Sequence, residues 1–96
     1  MADQHVSRDD YESLVEDVDA QMGGDVDIRD DYSGRGMFGE ECLAVVGDNY
    51  TLDVFLDAAR YFGIKASLRT MQQDSMGLSS VYYWPHIKVE KEAEHA

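Results

Sequence analysis

The chain has 96 residues and a net charge of −12, from 20 acidic and 8 basic residues, so it has room for one domain with one modest core. Residues 1–31 alone carry 11 acids and 2 bases, which disfavours direct binding of nucleic acid because its phosphates would be repelled. The single cysteine excludes an internal disulfide and a thiolate zinc cluster. The acidity fits docking on a basic surface, and it equally fits solubility or adaptation to high salt.

The first predicted element is a helix. Residues 1–8 are polar and without periodicity, which predicts a flexible N-terminus. From Asp9 to Met22 the apolar residues recur at helical spacing, with Asp9 or Asp10 as the N-cap and Gly23-Gly24 as the end. The opposite face of this helix is wholly acidic. Its apolar stripe predicts packing either on the domain itself or on a partner.

Two strands and a second helix follow. Val26 and Ile28 alternate with charged residues, which predicts a half-buried strand that ends at Asp30-Asp31. Residues 42–46 are apolar on both faces and predict an internal strand. A helix capped by Asp48, Asn49 or Thr51 then runs to a stop at Gly63. Its buried stripe is predicted to consist of Leu52, Phe55, Leu56, Ala59 and Phe62.

The last third of the chain predicts two more strands. Ile64, Ala66 and Leu68 alternate with polar residues in a third strand, residues 72–77 form a turn, and residues 79–84 form a fourth strand. Pro85 marks a bulge, an edge or the end of that strand, and residues 87–89 would extend it beyond the proline. A right-handed crossover over residues 42–70 would make two strands parallel. We therefore expect an α+β two-layer sandwich of order α-β-β-α-β-β, in which a four-stranded mixed sheet carries one main helix.

These elements predict a single domain over residues 9–89, followed by a charged tail over residues 90–96. The polar N-terminus shows no signal peptide, and no run approaches the roughly 18 apolar residues of a membrane span. We therefore expect a cytoplasmic protein that has no membrane partner. One face of the sheet needs cover, either from the first helix or from a second copy in a homodimer.

A glycine-rich loop is the first candidate site. Ser33, Gly34, Arg35, Gly36 and Met37 offer backbone N–H groups, a hydroxyl and a guanidinium, which together could hold a phosphate or a carboxylate. The loop is not a P-loop, because it lacks the Gly-Lys-Ser/Thr ending and a strand rather than a helix follows it. In the alternative interpretation, the arginine pairs with a neighbouring carboxylate and only shapes the loop.

The second candidate site is a turn followed by an aromatic strand. It contains Asp74, Ser75 and Met76, and then Tyr82 and Trp84, whose face is either an exposed recognition surface or the place where the first helix packs. If this turn meets the glycine-rich loop, we expect Arg35 to bridge to Asp74. Cys42 is the only thiol, and its place at the start of an apolar strand indicates a structural role.

Both candidate sites lie in sequence blocks with a resemblance to known proteins. Residues 32–39 (YSGRGMFG) with Cys42, then residues 74–78 (DSMGL) and 83–85 (YWP), resemble a group of small proteins encoded by phages and prokaryotic mobile elements. The resemblance implies a phage or mobile-element origin and a joint role for the two loops, but no activity. It covers about twenty residues and leaves out the acidic first helix.

The sequence therefore leads to two functional hypotheses. The first is a non-enzymatic phage-type accessory protein that binds a host macromolecule, for example as an acidic inhibitor of a nucleic-acid-handling or defence complex with a basic surface. The alternative is a small anion- or nucleotide-binding protein that uses the glycine-rich loop, with Tyr82 or Trp84 stacking on a ring. We expect no catalytic residues, no metal and no cofactor.

Overall fold

The computed structural model describes residues 3–24, 26–33, 41–77 and 79–91 of the chain. They form two α-helices and six strands, which confirms the α+β class. In chain order the elements are β1 (Gln4–Val6), α1 (Arg8–Met22), β2 (Asp27–Tyr32), β3 (Cys42–Gly47), α2 (Asn49–Tyr61), β4 (Gln72–Met76), β5 (Ser79–Trp84) and β6 (Ile87–Val89). A short 3₁₀ helix, Leu68–Thr70, precedes β4. The predicted order lacked β1 and placed the third strand wrongly.

The main sheet is four-stranded, in the order β2-β3-β5-β4, and all its pairs are antiparallel. The prediction of a mixed sheet with a parallel crossover over residues 42–70 was therefore wrong. After α2 the chain forms no strand until β4, which joins the sheet at the edge opposite β2. The apolar β3 lies between β2 and β5, which confirms the internal strand predicted for residues 42–46.

Helix α1 begins one residue earlier than predicted, because its cap is not an aspartate. The side chain of Ser7 accepts a hydrogen bond from the backbone N–H of Asp10 at 3.1 Å, and Asp9 and Asp10 lie inside the first turn. Gly23 ends the helix at a φ of +77°, a conformation that costs other residues more than glycine. Tyr11, Leu14 and Val18 are buried, so the apolar stripe packs within its own chain.

The cap and the bounds of helix α2 agree closely with those predicted. Asp48 caps it by accepting hydrogen bonds from the backbone N–H and the hydroxyl of Thr51, both at 2.9 Å, and the helix ends before Gly63. Of the predicted stripe, Leu52, Phe55 and Ala59 are buried, while Leu56 and Phe62 are partly buried against the same core. This helix covers one face of the main sheet.

The segment after α2 is the largest departure from the prediction. Residues 64–67 have no regular secondary structure, and Leu68 begins the 3₁₀ helix with 60% of its surface exposed. Only Ile64 of the three alternating apolar residues is buried. The backbone carbonyl of Ser67 accepts a hydrogen bond from the indole N–H of Trp84 at 2.9 Å rather than from a neighbouring strand. A short alternation was therefore a misleading strand signal here.

Residues predicted as a turn form the edge strand β4 instead. Its register with β5 pairs Gln72 with Tyr83 and Met76 with Ser79, which leaves a two-residue hairpin connection. Gly77 in that connection has a φ of +63°, as tight hairpins require. Of the residues predicted to form a turn, only Gly77 therefore lies in the connection, and the other five form β4.

Both ends of the described chain join in a second, two-stranded sheet. β1 pairs in parallel with β6, Gln4 opposite Ile87 and Val6 opposite Val89. The expectation of a flexible N-terminus was thus wrong for residues 4–8, because Val6 is buried in the main core and residue 8 already belongs to α1. β5 ends at Trp84 as predicted, but the residues after Pro85 form a separate strand rather than its extension.

Side chains of the main sheet divide into two clusters. On one face Leu43, Val45, Tyr82 and Trp84 pack with both helices in the larger core. The other face carries a smaller buried cluster made of Tyr32, Cys42, Ala44, Val81 and Tyr83. We call this second surface the tyrosine face.

Candidate functional site

The tyrosine face brings the two distinctive sequence blocks into contact. The hydroxyl of Tyr32, the first residue of the YSGRGMFG block, donates a hydrogen bond to Asp74 Oδ2 at 3.1 Å. Asp74 is the first residue of the DSMGL block. The ring of Tyr32 also lies against that of Tyr83, from the YWP block, with 5.0 Å between centroids and a tilt of 49°. One residue from each of the three blocks therefore lies on this side of the sheet.

The register of the strands explains this meeting. β2 pairs with β3 up to Arg29, and the register then shifts before Tyr32 pairs with Cys42. Such an irregularity re-aims the side chains that follow it. Asp74 is opposite Val81 and Gln72 is opposite Tyr83, and directly paired residues project from the same face of a sheet. Tyr32, from the β2 edge, thus reaches a carboxylate on the β4 edge.

Hydrogen bonds hold the polar groups of this face in place. Asp74 accepts from Tyr32 through Oδ2 and from the backbone N–H of Ser75 through Oδ1 at 3.0 Å. The hydroxyl of Tyr83 donates to Gln72 Oε1 at 3.3 Å. These bonds fix both tyrosine rings, which are buried, so this side of the sheet is a second packed cluster with a carboxylate at one edge.

The predicted site residues have three different locations. Ser33 directly follows β2, Asp74 and Ser75 lie in β4, and Met76 ends that strand. Tyr82 and Trp84 lie on the opposite face of the sheet, only 4% and 0% exposed. The remaining predicted positions lie outside the described residues, and the expected Arg35–Asp74 bridge stays a prediction for that reason; they are Gly34, Arg35, Gly36 and Met37.

Tyr82 and Trp84 are core residues, so the expectation of an exposed recognition surface was wrong for them. The ring of Trp84 stacks on Phe55 of α2, with 5.0 Å between centroids and 20° between planes. Tyr82 donates its hydroxyl to Asn49 Oδ1 at 3.1 Å, at the start of the same helix. The alternative was that the first helix packs on this face, whereas these contacts of Tyr82 and Trp84 are made with the second helix, α2.

Sequence reasoning missed Tyr32, Tyr83 and Gln72 as members of the candidate site. The signal was present for two of them, because Tyr32 and Tyr83 lie inside the quoted blocks. Because successive side chains of a strand point to opposite faces, Tyr83 of β5 points to the face opposite that of Tyr82 and Trp84. Gln72 had no signal, since its part depends on pairing with Tyr83 across the hairpin.

Cys42 lies under the tyrosine face and is fully buried, as expected for a structural residue. Burial raises the pKa of its thiol to about 11, although Lys88 and a backbone hydrogen bond act in the opposite direction. A thiol with so high a pKa is a poor nucleophile near neutral pH. Within residues 3–24, 26–33, 41–77 and 79–91, His, Cys, Asp and Glu side chains form no group of three that could hold a metal ion.

The outer side of α1 is a second candidate surface, which we call the acidic face. It consists of the exposed residues Asp9, Asp10, Glu12, Glu16 and Asp19. The only base of the helix, Arg8, lies at the start of this side and pairs with Asp30 of β2 at 2.5 Å. A groove of about 340 Å³ runs along this side, and it is lined by Arg8, Tyr11, Glu12, Val15, Glu16 and Asp19.

Contacts with β2 fix the orientation of the acidic face. The hydroxyl of Tyr11 donates to the backbone carbonyl of Ile28 at 3.3 Å, and the Arg8 guanidinium lies 5.1 Å from the centre of the Tyr11 ring. Burial, and then the nearby Asp30 carboxylate, raise the pKa of Tyr11 to about 12. Tyr11 is therefore neutral at ordinary pH and holds α1 against the sheet.

The chain matches no family model, no curated protein sequence and no solved structure. None of the helices in the described part of the chain is long and apolar enough to span a membrane.

Proposed function

We propose that this protein is a non-enzymatic binding protein that docks the acidic face of α1 on a basic surface of a macromolecular partner. The resemblance of its sequence blocks to small phage and mobile-element proteins makes a host complex the proposed partner. A nuclease or another nucleic-acid-handling complex presents such a basic surface. In this proposal the protein is an acidic accessory factor that occupies the surface and acts in the host cytoplasm.

The observation that carries the proposal is the unfavourable charge pattern of α1. Asp9, Glu12, Glu16 and Asp19 follow one another at spacings of three or four residues, where like charges repel and destabilise a helix. Asp19 also lies in the last turn, which contains no base, although a helix C-terminus favours positive charge. Helix stability alone therefore does not account for this row, whereas a basic partner would.

Rigid presentation also supports the proposal. Leu14 and Val18 are fully buried beneath the acidic face, and Tyr11 is anchored to β2. Binding then needs little ordering of the helix, so less of the interaction energy is lost. Charges held on one side of a helix also steer a basic partner during encounter.

The alternative, an anion- or nucleotide-binding protein, has less support from the described residues. Tyr82 and Trp84, which were expected to stack on a ring, contact α2 in the core and are closed to a ligand. The glycine-rich loop lies outside the described residues, so its part remains a prediction. A thermal-shift screen of nucleotides and anions tests it, because a ligand at a hundredfold excess over its Kd stabilises by about 2.7 kcal/mol.

Capture from host lysate tests the proposal when charge variants are compared. Glu12→Lys/Glu16→Lys reverses two charges four residues apart on the acidic face. Asp53→Lys/Asp57→Lys is the matched control, since both aspartates are exposed on α2 at the same spacing and the net charge changes equally. At low salt, the wild type and the α2 variant should retain the same protein, and the α1 variant should not.

High salt should release the captured protein from the wild type, because exposed charges more than about 8 Å apart are screened at physiological ionic strength and more strongly above it. Retention of the same protein by both charge variants would refute docking through α1. Retention of no protein at low salt would equally contradict the proposal.

A further inference from the structure

A segment with charge opposite to the rest of the molecule follows α2. Residues 58–73 contain three bases and no acid, so the remaining residues of this −12 chain carry a net charge of −15. Arg60, Lys65 and Arg69 are all exposed. Among the described residues, none of these three side chains has a carboxylate within ion-pair distance. We call residues 60–69 the basic segment.

The basic segment also exposes large apolar side chains. Tyr61 is 82% exposed and Leu68 is 60% exposed, and in the described part of the chain the only other large apolar side chain so exposed is Tyr50, at 62%. A groove of about 420 Å³ lies within the same segment, lined by Arg60, Gly63, Ile64, Lys65, Ala66 and Ser67. Exposed apolar side chains and bases within one short segment are typical of an interaction surface.

The backbone of the basic segment is held rigidly although it has little regular structure. Gln4 of β1 donates from Nε2 to the carbonyl of Gly63 at 3.1 Å and accepts at Oε1 from the N–H of Lys65 at 2.8 Å. The indole N–H of Trp84 donates a hydrogen bond to the carbonyl of Ser67, and the side chain of Ile64 is buried. The segment is thus preorganised, which reduces the entropic cost of binding.

Local stability does not explain the three bases together. Arg60 lies in the last turn of α2, where a positive charge favours the helix dipole. Lys65 and Arg69 lie beyond the helix end, and neither pairs with a described carboxylate. Their side chains are therefore available to carboxylates of a partner.

We propose that the basic segment is a docking site for a short acidic peptide segment of another protein, one that carries an apolar side chain between its carboxylates. The carboxylates would pair with Lys65 and Arg69, while the apolar side chain would contact Tyr61 and Leu68. Nucleic acid fits less well, because a long polyanion would extend over the strongly acidic remainder of the surface. The site is separate from the acidic face of α1 and does not depend on its function.

A labelled synthetic peptide of alternating glutamate and leucine tests this site with the full chain. A second peptide with serine in place of leucine keeps the charge, and a single-stranded oligonucleotide of equal charge represents nucleic acid. The leucine peptide should bind most tightly by fluorescence anisotropy. Tyr61→Ala and Lys65→Gln should each weaken it by about fivefold or more, as truncation of an interface anchor does.

Matched control variants are available outside the segment. Tyr50→Ala removes another exposed tyrosine, at the other end of α2, and Lys91→Gln removes one exposed positive charge; neither should change binding of the leucine peptide. Equal loss in the controls, tighter binding of the oligonucleotide, or binding of neither peptide would each overturn the proposal. Association of copies that Lys65→Gln abolishes would identify a second copy as the occupant, which would also overturn it.

Discussion

At the scale of single residues, the hydrogen bond from Tyr32 to Asp74 is the contact that joins the two sequence blocks. Tyr32→Phe removes one donor and should lower the free energy of unfolding by about 1 kcal/mol. Asp74→Ala should also destabilise, but the double variant should lose less than the sum, because the two side chains share the contact. Denaturant unfolding of the three variants measures the coupling.

The matched control for this cycle is Tyr82→Phe, which removes a hydroxyl bonded to Asn49 on the opposite face of the sheet. Its effect should add to that of Asp74→Ala within experimental error. Additive effects for Tyr32→Phe as well would show that the hydroxyl contributes nothing through Asp74, contrary to the geometry of the tyrosine face.

Burial of Cys42 should make stability depend on pH in the alkaline range. Because the pKa of the thiol rises to about 11 in the folded protein, the unfolded chain loses this proton first. The contribution of the thiol is therefore fully present below the ordinary cysteine pKa and is lost as the pH rises towards 11, with a slope of at most about 1.4 kcal/mol per pH unit.

Comparison of the wild type with Cys42→Ala isolates this contribution. The variant should lose less stability than the wild type between pH 8 and pH 11, as measured by urea unfolding at each pH, regardless of its lower starting stability. Identical slopes for the two proteins would mean that the thiol ionises equally in the folded and unfolded chains, which its burial forbids.

At the scale of elements, the cap of α1 distinguishes the observed helix start from the predicted one. Ser7→Ala removes the side-chain oxygen that accepts from Asp10 and should cost about 1 kcal/mol. For a chain of this length, that corresponds to a fall in Tm of about 4–8 °C. Asp9→Ala should cost less, because Asp9 is exposed in the first turn and is not the cap. A larger loss for Asp9→Ala would contradict the observed start.

Long periodic elements were predictable, and short elements that depend on distant pairing were not. Helix α2 and strand β5 have enough apolar residues in phase to determine their type and bounds. β1 has three residues, and its partner β6 lies some eighty positions away, so no local pattern indicates it. β2 and β4 are edge strands, where charged and turn-forming residues such as Asp30 and Ser75 are tolerated because one side of the backbone is unpaired.

The candidate site was predictable only in part, for a similar reason. The blocks indicated that Tyr32 and Asp74 belong to linked features, but which side chains meet is determined by the strand register. That register turns Tyr83 towards Tyr32 and buries Tyr82 and Trp84 under α2. A shift of one residue exchanges the two faces of a strand, and alternation alone does not say which face a helix covers.

At the scale of the whole molecule, charge is segregated among surfaces that the fold holds rigidly. The acidic face lies on the outside of α1, the basic segment follows α2, and the tyrosine face carries neither helix. Arg8 is the only base beside the row of acids on α1, and within the described residues the run of bases has no carboxylate in its own segment. This separation leads us to propose two docking sites of opposite sign rather than a catalytic centre.

The most direct test of docking through α1 is the association rate with the captured partner as a function of salt. For the wild type and for Asp53→Lys/Asp57→Lys, the rate should fall steeply, by about tenfold or more, as salt rises from well below to well above the physiological range. Glu12→Lys/Glu16→Lys should associate slowly at low salt and depend little on salt. Thermal unfolding should show that this variant is about as stable as the wild type, since the substitutions relieve repulsion along the row of acids but remove the attraction between Glu12 and Arg8. An equal salt dependence for both charge variants would contradict the acidic face as the docking surface.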